Sequence, residues 1–107
     1  MTRVECSEKE KKELAKEVAE AFVEACRGVS DDFLAIANFH VHRRLNMDIV
    51  DAIKYKPREF YEVFTDLFTN WVWNVIINRV FEILERKGVE FSPMDVVRWF
   101  RGEEEVI

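Results

Sequence analysis

Glutamine is absent from this chain of 107 residues, and glycine, proline, cysteine and histidine are scarce, at three, two, two and two. Each scarcity removes a class of chemistry. So few glycines leave no glycine-rich phosphate loop, and neither GxSxG nor HExxH occurs. The two cysteines lack CxxC spacing and stand at either end of the first predicted helix. About twenty helical residues at 1.5 Å each hold Cys6 and Cys26 roughly 30 Å apart, beyond disulfide reach. They read as free thiols of a reducing compartment. His40 and His42 point to nearly opposite sides of a helix, so one ion cannot bind both. No metal or cofactor is expected. Long apolar runs are missing too, because Asn or a charge interrupts every few residues, so no membrane span is expected. The charged stretch after Met1 does not read as a secretory signal, and the expected location is cytoplasmic.

What is present is oil and charge. Hydrophobic residues make up 49% and aromatics 13%, with nine Phe, three Trp and two Tyr. The length supports one domain, 1–107, with flexible ends at 1–6 and 102–107. A domain this small leaves much of its surface exposed, so a surplus of large apolar side chains raises the expectation of self-association. Charged residues reach 35%. Abundant Glu, Lys and Arg with few amides is the bias of proteins from hot environments, and a thermophilic source is the corresponding expectation. The net charge of -5 argues against general nucleic-acid binding, though a local basic patch can suffice.

Apolar spacing of three and four gives an all-α fold, a compact bundle or array of about five helices. Ser7 and Glu10 form a capping box for the first helix, whose stripe is Leu14, Val18, Ala21, Phe22 and Ala25, and Gly28 stops it. Ser30 or Asp31 caps a second helix running to Leu45, apolar on more than one face, which implies burial in the domain or in an oligomer. Asn46 terminates it. Residues 47–56 read either as a short helical turn or as an extended connector. Pro57 starts the next helix, and Thr69-Asn70 breaks the region 58–87 into two helices rather than one bent helix. Ser92-Pro93 opens a last helix that Trp99 and Phe100 pack onto the bundle.

Two sets of residues are candidates for function. Asn70, Asn74 and Asn78 recur at four-residue spacing in a segment otherwise apolar, with Trp71, Trp73, Ile77 and Phe81 around them. The row is either the solvent edge of a nearly buried helix or a polar seam that fixes register between subunits of a homodimer. Arg43, Arg44, Lys54, Lys56 and Arg58 form a basic island for phosphate or an acidic partner, or else a solvated face. Carboxylates abound but fall on solvated helix faces. No catalytic constellation emerges, and an enzyme is not expected. The function read from the residues is a protein-interaction module, self-associating. The alternative is a nucleic-acid-binding accessory protein that uses the basic island.

The segments His42-Arg43-Arg44-Leu45, Asp48-Ile49, Lys56-Pro57-Arg58-Glu59-Phe60 and Leu67-Phe68 occur in that order, followed by Ile76 to Lys87 and Gly88-Val89. Over about residues 33–91 this order resembles the small archaeal signal-output domain of sensor and regulatory proteins, the Nitrosopumilus-type output domain family. That family usually carries Gly where this chain has Thr69. The resemblance implies an archaeal, non-enzymatic, homo-oligomeric helical module that passes or receives a regulatory signal, with no catalytic residues to carry over. In this sequence a helix rather than a sensor precedes the matching region, so a stand-alone version is expected.

Overall fold

The computed structural model describes the backbone of residues 3–102 and the side chains of residues 12–102. It contains six helices: α1 (Arg3–Val29), α2 (Asp31–Leu45), α3 (Ile49–Tyr55), α4 (Pro57–Phe68), α5 (Asn70–Arg86) and α6 (Pro93–Arg101). The fold is all-α, as the periodicity predicts. The ambiguous stretch 47–56 is mostly helix, because the Asp48 carboxylate accepts a hydrogen bond from the Asp51 amide at 2.9 Å and caps α3.

The helix ends follow local chemistry. The Ser30 hydroxyl accepts from the Phe33 amide at 2.9 Å, and Asn46 closes α2 in the left-handed conformation that Asn tolerates. Pro57 occupies the first turn of α4, where its missing N–H breaks no hydrogen bond within that helix. At the N-terminal end the expectation needs correction. The first helix begins at Arg3, so Ser7 lies within it rather than at its cap. Glu and Lys around Ser7 are good helix formers, and they carry the helix back across the expected start. Residues 3–6 lie within α1. Residues 1–2 and 103–107 lie outside the described residues.

Helix α1 packs along α5, α3 and α2, while α4 packs against α6, α2, α3 and α5. The long dimension of the molecule, 45 Å, is close to the length of α1. Phe22 sits at the centre. Its ring lies 5.1 Å from Phe60, 5.4 Å from Phe64, 5.6 Å from Trp73 and 6.3 Å from Phe100, which joins four helices through one side chain. The pairs with Phe60 and Phe64 are edge-to-face, the arrangement the ring quadrupole favours. No buried polar or charged residue interrupts this core among the described residues.

Candidate functional site

On α5 the structure divides the expected interface residues by periodicity. Asn70, Asn74 and Asn78 are exposed, and Trp71 is 73% exposed with Val75 on the same stripe. Trp73 and Ile77 face the other way and are buried in the core, so they are unavailable to a partner. Phe81 is half-buried and stacks on Phe91 at 5.8 Å. The interface reading is therefore corrected for Trp73 and Ile77. A 3.6-residue repeat puts residues two apart, such as Trp71 and Trp73, on different faces. The amide row lies at a solvent edge, and Asn70 accepts a hydrogen bond from the Tyr61 hydroxyl at 3.4 Å across the α4–α5 corner.

The basic island does not gather into one patch. Arg44 pairs with Asp66 at 3.3 Å near the end of α4, and Arg58 pairs with Glu62 at 3.5 Å near its start. Eight residues of helix hold Arg58 about 12 Å along the axis from Asp66, the partner of Arg44. Lys54 lies over the ring of Tyr55, 5.4 Å from its centroid, leaving Arg43 and Lys56 as exposed cations further along the surface. Carboxylates thus neutralise two of the five charges.

Within one chain the second helix is buried on one face only, so of the two expected forms of burial, in the domain or in an oligomer, the domain supplies half. Its inner face, Ala37 and Val41 with Phe33, Leu34 and Leu45, packs into the bundle. Its outer face carries Ile36, 50% exposed, and Phe39, 58% exposed. The His40 and Phe39 rings pack edge-to-face with centroids 5.2 Å apart. Asp32 and Arg43 are exposed on the same face, and neither has an ion-pair partner within the chain among the described residues. The sequence signalled this face only through the unusual apolarity of both sides of α2. Which side would be left open depends on where α1, α3 and α4 pack.

An open recess of about 470 Å³ lies between α4 and the end of α6, lined by Arg58, Tyr61, Glu62, Phe100, Arg101 and Gly102. It is not beside Asn74 and Asn78. It holds one carboxylate, already paired with Arg58, and neither a histidine nor a cysteine. Cys26 is enclosed in the core, and loss of solvent pushes its thiol pKa up to about 12, so it stays protonated and a poor nucleophile at neutral pH. Among the described residues no group of three or more His, Cys, Asp or Glu could hold a metal ion, and no helix is long and apolar enough to cross a membrane. Comparison of the chain with protein-family models, with curated proteins and with solved structures yields no match.

Proposed function

We propose that this chain is a non-enzymatic, cytoplasmic protein-interaction module that self-associates and relays a regulatory signal, in the manner of the archaeal signal-output domains it resembles. One observation carries the reading. Ile36, Phe39, Trp71 and Val75 remain exposed on two helices whose inner faces already complete a closed core. Neighbouring exposed apolar side chains on one helix face raise the expectation of a partner. The resemblance gains support at one position. Thr69 has φ 97°, a conformation that glycine, the family's usual residue there, adopts with least strain. Size-exclusion chromatography with light scattering, run from low micromolar to millimolar concentration, tests the reading. A mass that rises toward twice 12.8 kDa is the expected result. A monomer throughout that range overturns self-association.

A further inference from the structure

The outer face of α2 is built to meet itself. Asp32, Ile36, Phe39 and Arg43 follow one another at intervals of four, three and four residues, which on an α-helix keeps them on one stripe. The intervals read the same in both directions. An acid stands at the N-terminal end of the stripe, a base at the C-terminal end, and two large apolar side chains between them. The first turn of α2 carries Asp31 and Asp32, and its last turn His42, Arg43 and Arg44.

We infer that the partner for this face is a second copy of the same chain, its α2 packed antiparallel to the first about a two-fold axis between residues 37 and 38. This rests on the interaction-module reading and gives it a surface. A two-fold contact presents one patch to itself, so every pairing occurs twice. In the register set by that axis, Ile36 of one chain meets Phe39 of the other, and Asp32 meets Arg43. Ala35, exposed beside the stripe, lets the two backbones approach. The Phe39 ring is already supported by His40, so little side-chain freedom is lost when it is covered. Parallel packing would set Asp32 against Asp32 and Arg43 against Arg43, so the charges select the antiparallel arrangement. A stable complex typically buries about 1,200–2,000 Å² in total, more than two short helices supply. A weak, transient dimer is therefore expected. The Trp71–Val75 ridge of α5 remains uncovered.

Four variants of the full chain test the seam by sedimentation equilibrium, each checked for helix content by circular dichroism. Asp32→Lys and Arg43→Glu each place like charges at both ends of the dimer, and each weakens it by about tenfold, two exposed charge pairs being reversed at once. Mixing the two restores near-native affinity. In the mixed dimer the introduced lysine of one chain faces the introduced glutamate of the other at one end, and the native pair of Arg43 with Asp32 forms at the other. Phe39→Ser abolishes association, and Trp71→Ser leaves it intact. Failure of the mixture to recover, or dimerisation indifferent to all three α2 changes, overturns the seam. A wild-type dimer that persists through them, or that Trp71→Ser removes, sinks the α2 register and leaves the self-association reading standing. A wild-type monomer up to millimolar concentration overturns both.

Discussion

Proline at position 57 deprives the Ile53 carbonyl of the amide that would close the next helical turn. Trp99 supplies the donor instead. Its indole N–H reaches the Ile53 oxygen at 2.8 Å, from 46 residues further along the chain. Ile53 is fully buried, so water cannot take over that bond. Trp99→Phe keeps most of the ring's apolar bulk and removes only the donor. It is expected to destabilise the fold by about 1–3 kcal/mol, the cost of a buried carbonyl left unpaired. Urea unfolding checks this, and a midpoint equal to wild type would refute the bond's role. The sequence already showed that Trp99 and Phe100 dock the last helix. It did not show that the indole completes α3, because a contact across that span exists only once α6 has packed. Asn38 is a similar case: its side-chain oxygen accepts from the Ile49 amide at 3.2 Å and holds the start of α3 against α2.

Individual helices were legible because each carries its own start and stop chemistry. Ser30, Asn46 and Pro57 mark ends that the structure reproduces, whereas the Asp48 cap emerged only with the structure. Faces were less legible than ends. In α5 nearly every residue is apolar or amide, so periodicity alone could not tell buried Trp73 from exposed Trp71. The α4–α5 corner shows an element boundary held under strain. Thr69 combines φ 97° with ψ 162°, a region that side chains with a branched β-carbon rarely enter. In return its hydroxyl caps α5 with a long bond of 3.5 Å to the Val72 amide. Relief of about 1–3 kcal/mol of backbone strain is set against a few tenths for the cap and about 0.4–1 kcal/mol of unfolded-chain entropy. Thr69→Gly is therefore expected to stabilise the protein by about 1 kcal/mol, a rise in thermal midpoint of about 4–8 °C. Calorimetry that finds a lower midpoint would mean that the hydroxyl cap outweighs the strain.

At the scale of the molecule, the ring of Phe22 on α1 meets rings from α4, α5 and α6, so none of these four helices can leave without opening the same cluster. Cys26 lies one turn further along the same face of α1 and is as completely buried as Phe22. Its thiol can therefore meet hydroxide only when the whole core opens, which ties its ionisation to global unfolding. Burial raises its pKa from 9.0 to about 12, so the folded chain holds the proton over a range where the unfolded chain has lost it. Across that range the folded state binds more protons, and stability falls as pH rises. The contribution is complete below pH 9.0 and is lost progressively up to about pH 12. Cys26→Ala removes the titrating group and leaves the rest of the chain unchanged. The variant is less stable near neutrality, through the lost sulfur, but its stability declines less steeply with alkali. Urea unfolding of both proteins at several pH values from about 8 to about 11 measures the two slopes. Parallel slopes would show that Cys26 reaches solvent without unfolding, and that the core around Phe22 opens in parts rather than as one unit.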